Sequence, residues 1–264
     1  MTPPAQEHHS PKSRLRLLSY NIQVAVASSR LRHYLTQSWK HVLPHPNSIN
    51  NLDRIASITH QYDIVALQEV DAGSLRSQFI NQVEYLAEKA GFPFWFHQTN
   101  RNLGKLAQHS NGFLSHISPA EIIEHKLPGL IPGRGAIVVR FGPSHHHLVL
   151  ILAHLALGKR ARMTQLRYIA DIANQHEHVV LMGDLNCQPH SKEIRTLIHT
   201  TNLCPPLTQD YTFPSWQPRK KLDYILISPG LKVHSAHVLT HAVSDHLPLA
   251  VEISLPDDVN VLAR

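Results

Sequence analysis

Four consecutive apolar residues, Val179 to Met182, run straight into Gly183-Asp184-Leu185-Asn186. A short run of that kind reads as a buried strand. A strand sends alternate side chains to opposite faces, so Asp184 and Asn186 share one side of the tip and Leu185 takes the other. A carboxylate and a carboxamide on one face suit a metal or a phosphate better than they suit packing. The arrangement recurs along the chain. LRLLSYNI reaches Asn21, DIVALQEV carries Glu69, and LVLILAHL carries His154. Asp223 opens DYILIS, and Asp245-His246 precede LPLAVEIS. A single acid beside a strand is an ordinary cap or ion pair. So many together resist that explanation, because a buried carboxylate is costly unless paired or metal-bound.

If those strand ends converge, acids, amides and imidazoles surround one cavity. Carboxylate and amide oxygens without thiolates favour a hard cation, Mg²⁺ with Mn²⁺ as a substitute. Zinc would be expected to show paired spacing such as HExxH, which is missing.

Bulk properties bound the rest. A chain of 264 residues with 42% apolar content can bury a substantial core. The formal net charge of +6 fits a nucleic acid, an anionic lipid or a phosphorylated small molecule as partner, and equally fits ordinary solubility. Of the 22 histidines, the run His145-His146-His147 reads as part of a hairpin turn entered through Gly142-Pro143 rather than as a metal site. Cys187 and Cys204 show no CxxC spacing; they fit one disulfide or two thiols in a reducing cytosol. The N-terminal residues lack the apolar core of a signal peptide, and no window resembles a membrane span. A cytoplasmic protein is expected, with its oligomeric state open.

Residues 1–13 read as a loose tail, and 14–256 as one catalytic domain mixing strands and helices. Helices are expected within 50–62 and over 77–90, 161–175 and 191–199. Strands are expected at 15–22, 63–70, 94–97, 111–115, 119–126, 135–141, 147–154, 178–186, 222–228, 232–239 and 247–254.

In this order, Asn21, Gln68-Glu69, His154-Leu155, Gly183-Asp184-Leu185-Asn186, Asp223-Tyr224 and Ser244-Asp245-His246 closely resemble the endonuclease/exonuclease/phosphatase superfamily. That group includes pancreatic deoxyribonuclease, abasic-site endonucleases, neutral sphingomyelinases and inositol polyphosphate 5-phosphatases. The resemblance runs from about Leu15 to Leu255. It implies an α+β fold, a four-layer α/β/β/α sandwich with two mixed sheets face to face and helices outside. It also implies roles. Glu69 resembles the main metal ligand, supported by Asn21 and with Asp245 near the metal. Asp184 resembles the residue that orients or deprotonates water, and Asn186 one that bonds the scissile phosphate. His246 would contact the phosphate. Asp223 would orient an imidazole, either His246 or His154. His154 resembles a phosphate-binding or acid histidine, where the abasic-site enzymes place a tyrosine.

Asn111 and Arg134 lie where the family often keeps cleft residues, and a turn asparagine and a surface arginine are the plain alternatives. Asp71 reads as structural support. Residues 28–46 depart from the compact nucleases with a basic, aromatic insert, and Arg219, Lys220 and Lys221 form a second basic cluster. The first reading is a Mg²⁺-dependent phosphodiesterase of nuclease type. The second is a phospholipid or phosphoinositide head-group phosphoesterase, similar to the sphingomyelinases. The third is a silent binding module, against which the intact polar set argues.

Overall fold

The computed structural model describes residues 14–25, 48–102, 104, 106–130, 132–143, 146–206, 211–259 and 261. The tail 1–13, the insert 28–46 and His145 lie outside the described residues.

Eleven strands form two mixed sheets among the described residues. They are β1 (Arg14–Asn21), β2 (Ile64–Asp71), β3 (Phe94–Asn102), β4 (Gln108–Ser115), β5 (Glu121–Lys126), β6 (Gly135–Phe141), β7 (Leu148–Ala153), β8 (His178–Asp184), β9 (Asp223–Ile227), β10 (Lys232–Val238) and β11 (Leu249–Ser254). The first sheet runs β10-β11-β1-β2-β4-β3, the second β5-β6-β7-β8-β9. The α-helices among the described residues are α1 (Ser48–Thr59), α2 (Gln82–Ala90), α3 (Lys159–Ala173) and α4 (Lys192–Thr200).

Each sheet has one parallel pair at its centre. β1 and β2 pair in parallel, with α1 in the connection. β7 and β8 pair in parallel, with α3 in the connection. Their other neighbours run antiparallel.

The apolar runs are unbroken because both faces of each sheet are covered. Leu15, Leu17, Ile64 and Ala66 share a cluster with Val139, Phe141, Leu150, Met182 and Ile225, which fills the space between the sheets. The alternate residues Leu18, Tyr20, Val65 and Leu67 pack outward with Leu52 and Ile55 of α1 and Val83 and Leu86 of α2. On the other side, Val149, Ile151, Val179 and Leu181 pack outward with Leu166 and Ile169 of α3 and Ile194 and Leu197 of α4. The result is helix, sheet, sheet, helix. Phe113 and Phe141, both fully buried between the sheets at 6.1 Å centroid separation, each contribute roughly 1.5–3 kcal/mol by leaving water.

The spacing predicted a helix over 77–90, but α2 begins only at Gln82. Gln78 and Phe79 take positive φ and Ser77 is drawn to Asp71, so helical turns cannot continue through them. Asn81 then caps the true start by accepting from Val83 N at 3.1 Å, and Gly91 (φ 77) closes the end. β3 and β4 are longer than the apolar pattern alone indicates, because their outer halves pair through polar residues. The His146-His147 segment does lie in the β6–β7 hairpin connection. Cys187 is buried, Cys204 exposed, and both are free thiols. No helix among the described residues is long and apolar enough to cross a membrane.

Candidate active site at the strand ends

Strand direction determines what meets at one edge of the sandwich. The parallel pairs supply their C-terminal ends: Asn21 of β1, Glu69 near the end of β2, His154 just after β7 and Asp184 of β8. The antiparallel neighbours supply their starts. Asp223 opens β9 and pairs with Asp184, and Ser244-Asp245-His246 lead into β11.

Asp184 is the meeting point. Its Oδ2 accepts from Asn21 Nδ2 at 3.2 Å, which ties the two sheets together. The same oxygen lies 3.6 Å from His154 Nε2 and 3.8 Å from His246 Nε2. Glu69 Oε1 is 3.8 Å from His154 Nε2. These three separations are beyond direct hydrogen bonding. The Oδ1 of Asp184 accepts from Asn186 N at 2.9 Å.

Local backbone explains how the polar ends are aimed. At Gly183 φ is +140°, and a Cβ there would lie 1.9 Å from the Ala153 carbonyl oxygen. Only glycine allows β7 and β8 to meet so closely just before Asp184. Glu69 sits in a bulge: Gln68 and Glu69 stand opposite the single residue Asn111 between the Leu67–Gly112 and Val70–Ser110 pairs. Its φ of 55° turns the carboxylate out of the ladder. The strand β8 ends at Asp184, and Asn186 follows in a left-handed turn with φ 51°. The expected sharing of one strand face is therefore replaced by an Asx turn, whose closing acceptor is Asp184 itself. Leu185 does go to the other side, into the helix-covered core.

Asp223 Oδ2 and His246 Nδ1 are 2.8 Å apart, so of the two histidines that Asp223 could orient it engages His246. Ser244 Oγ donates to Asn21 O at 2.6 Å and accepts from His246 N at 3.1 Å. Ser215 Oγ donates to Ser244 O at 2.6 Å, and Asp245 N donates to Gln23 Oε1 at 3.3 Å. Asn186 Nδ2 donates to Leu155 O at 3.0 Å. Phe213 packs on the His246 ring at 4.9 Å between centroids.

Charge follows burial. Burial pushes the Asp184 carboxyl up to about 7, against the pull of His246 and with Asp223 adding repulsion. Burial also pushes Asp245 up to about 7. For His246 burial works downward, yet the facing carboxylates, Asp223 first, raise it to about 10. His154, fully enclosed and facing Arg134 and His246, is held well below the ordinary imidazole range. At neutral pH His246 is a cation and His154 is neutral.

Asp71, expected as support, is fully buried. It accepts from the backbone N–H groups of Gly73, Ser74 and Gln108, the hydroxyls of Ser74 and Ser77, and the Arg76 guanidinium. This knot fixes the chain two residues beyond Glu69.

Asn111 and Arg134 line a cleft of about 990 Å³ that begins at Glu69 and His154. Asn111 is buried and donates to Gly135 O at 3.0 Å. His109 also lines this cleft, held down to about 4 by burial and by Arg76. The sequence offered no sign of Phe213, Gln23, Ser215 or His109, because each reaches the site from a segment with no motif of its own. Arg219, Lys220 and Lys221 are divided in their environments: Arg219 and Lys220 are exposed, while Lys221 is buried with its ammonium 5.9 Å from the Tyr224 ring centre.

A divalent cation suits this donor set. Buried carboxylates at Asp184 and Asp245, with Glu69 beside them, repel one another and are held part-protonated, a condition that a hard cation relieves. Ligand atoms of Asp184, Asp223 and His246 all lie within 4.8 Å of one another, a grouping that could hold a metal. His246 Nδ1 and Asp223 Oδ2 are, however, engaged with each other.

Among curated proteins, none matches the chain. Solved structures share its fold. An endonuclease/exonuclease/phosphatase from Beutenbergia cavernae DSM 12333 is 21% identical, with a TM-score of 0.69, over 92% of this chain and 72% of that one. The mannosyl-6-phosphatase of Bacteroides thetaiotaomicron VPI-5482 is 17% identical, with a TM-score of 0.67, over 91% of this chain and all of that one. The human Nocturnin catalytic domain with bound sulfate is 19% identical, with a TM-score of 0.67, over 92% and 95%. The Endonuclease/Exonuclease/phosphatase family profile matches residues 18–246 of the 264. The chain thus belongs to the endonuclease/exonuclease/phosphatase family and is a phosphoester-hydrolysing enzyme.

Proposed function

We propose that this enzyme hydrolyses phosphodiesters of nuclease type with a bound Mg²⁺ ion, using Asp184 to activate water. The observation that supports this most is the convergence on Asp184 of Asn21, His154 and His246, drawn from both sheets. Glu69, Asn21 and Asp245 would hold the cation. When bound, it would neutralise phosphate charge and favour the developing dianion.

The chain's own groups do the rest. Asp184, with a pKa near neutrality and fixed by Asn21 and Asn186 N, accepts the proton of the attacking water. His246, protonated and held by Asp223, donates through Nε2 to a phosphate oxygen on which charge grows. His154 stays neutral, and it donates to the same phosphoryl group without adding a competing positive charge. Asn186, anchored to Leu155, keeps its remaining amide hydrogen for the phosphate. Two structural relatives fit recognition of a phosphate group on this fold: one is a mannosyl-6-phosphatase and the other holds a sulfate anion.

The test is release of p-nitrophenol from bis(p-nitrophenyl) phosphate, and nicking of plasmid DNA, with Mg²⁺ and then with EDTA. Mg²⁺-dependent turnover of both supports a nuclease-type diesterase. Turnover of lipid head-group esters alone would shift the assignment to the phospholipid reading.

A further inference from the structure

Of the catalytic constellation, Glu69 and His154 line the cleft, and Asp184 lies next to His154. The whole cleft, about 990 Å³, is at the upper end of the roughly 300–1,000 Å³ typical of small-molecule sites. A single phosphate would leave most of it in contact with nothing.

The walls differ in charge from the catalytic end. Among the described residues, one carboxylate, Glu69, lines the cleft against four basic side chains: Arg101, Arg134, Lys159 and Arg160. They come from three separate segments. Arg101 lies near the end of β3, Arg134 just before β6, and Lys159 and Arg160 at the start of α3. None of the four makes a hydrogen bond or ion pair to a carboxylate among the described residues. The first turn of α3 contains no acid, and its cap Gly158 offers no side chain. Gly133, with φ +111°, is packed against the Arg101 side chain, where a Cβ would lie 3.1 Å from Arg101 Cβ. Arg101 and Arg134 are thus brought close enough to repel one another, a pairing that an anionic ligand would relieve. Arg134 also feels Glu69 and Asp184, which places it at the junction with the catalytic end.

The mouth adds an organic character. Leu130 and Leu157 line the cleft and are both exposed, Leu130 fully. Exposed leucines beside a charged cleft offer apolar contact to the non-ionic part of a ligand.

We infer that the cleft takes a phosphoester with a second phosphate, seated among Arg101, Arg134, Lys159 and Arg160 while the first lies at Asp184. This rests on the phosphoesterase reading and narrows it to a substrate class: a sugar or polyol ring phosphorylated at two positions. A nucleotide strand and a phosphoinositol head group both have that chemistry.

Two pairs of probes distinguish the sources. One is the p-nitrophenyl ester of thymidine 5′-phosphate, with and without a 3′-phosphate. The other is glycerophosphoinositol, with and without a 4-phosphate. With Mg²⁺, the doubly phosphorylated member of one pair is expected to show kcat/KM higher by about tenfold or more. The pair that shows it names the source. In the exposed double variant R101Q/R160Q that ratio should fall to near one, and Lys159→Gln should lower it in part. A wild-type ratio near one in both pairs, or a ratio unchanged in R101Q/R160Q, would overturn the inference. Hydrolysis of none of the four probes would overturn the phosphodiesterase reading beneath it.

Discussion

Asp223 Oδ2 lies 2.8 Å from His246 Nδ1, and that one contact sets both the orientation and the charge of the imidazole facing Asp184. The pair spans the second sheet and the segment before β11, so it forms only in the folded chain. Asp223→Asn removes the carboxylate that most strongly raises His246. A histidine raised to about 10 stays cationic through neutral pH and loses its proton above that value. Without Asp223 the alkaline fall in kcat should move down toward the ordinary imidazole range. Turnover at neutral pH should drop by about 10²–10⁴. A pH–rate profile of wild type and Asp223→Asn between pH 6 and 10 checks this.

Cation binding should strengthen as pH rises. The carboxyls of Asp184 and Asp245 have folded values of about 7 against an ordinary 3.8. In the cation-free protein their contribution to stability is full below about 3.8 and is lost as pH rises through 7. A divalent cation must displace those protons. The rise in Tm caused by Mg²⁺ should therefore be small at pH 5 and larger at pH 8, measured by scanning calorimetry at fixed free Mg²⁺.

The Asp71 knot carries the opposite sign. Burial works against ionisation, but Arg76 and Ser74 hold this carboxyl below its ordinary range. Its contribution is present above 3.8 and is lost as pH falls below that. Asp71→Ala leaves Arg76 buried without its carboxylate and should cost about 3–5 kcal/mol in urea unfolding. Milder Asp71→Asn should keep the fold and weaken Mg²⁺ affinity, because the bulge at Glu69 loses its anchor. Mg²⁺ titration by calorimetry reads that loss.

Gly183→Ala tests the close approach of β7 and β8. The added methyl would overlap the Ala153 carbonyl and sit at a φ that alanine avoids. The expected cost is at least about 3 kcal/mol in urea unfolding.

Much of the site was legible because unbroken apolar strands in this chain end in polar residues. Asn21, Glu69, His154, Asp184, Asp223 and His246 all stood out against hydrophobic neighbours. What periodicity could not give was direction off the strand. The left-handed turn at Asn186 and the bulge at Glu69 depend on partners far along the chain, Leu155 and Asn111. Asp71 read as structural support, but the six donors that make it so come together only in the fold. The basic cleft was least legible, since Arg101, Arg134 and Arg160 lie in three segments that sequence distance separates and the sandwich joins.

The most direct test of the account is the rate of Mg²⁺-dependent bis(p-nitrophenyl) phosphate hydrolysis by wild type, Asp184→Ala and His246→Ala, with folding checked by circular dichroism. Both variants are predicted to fold and to lose about 10³-fold or more in kcat. A folded Asp184→Ala enzyme turning over at near wild-type rate would contradict the placement of catalysis at these strand ends.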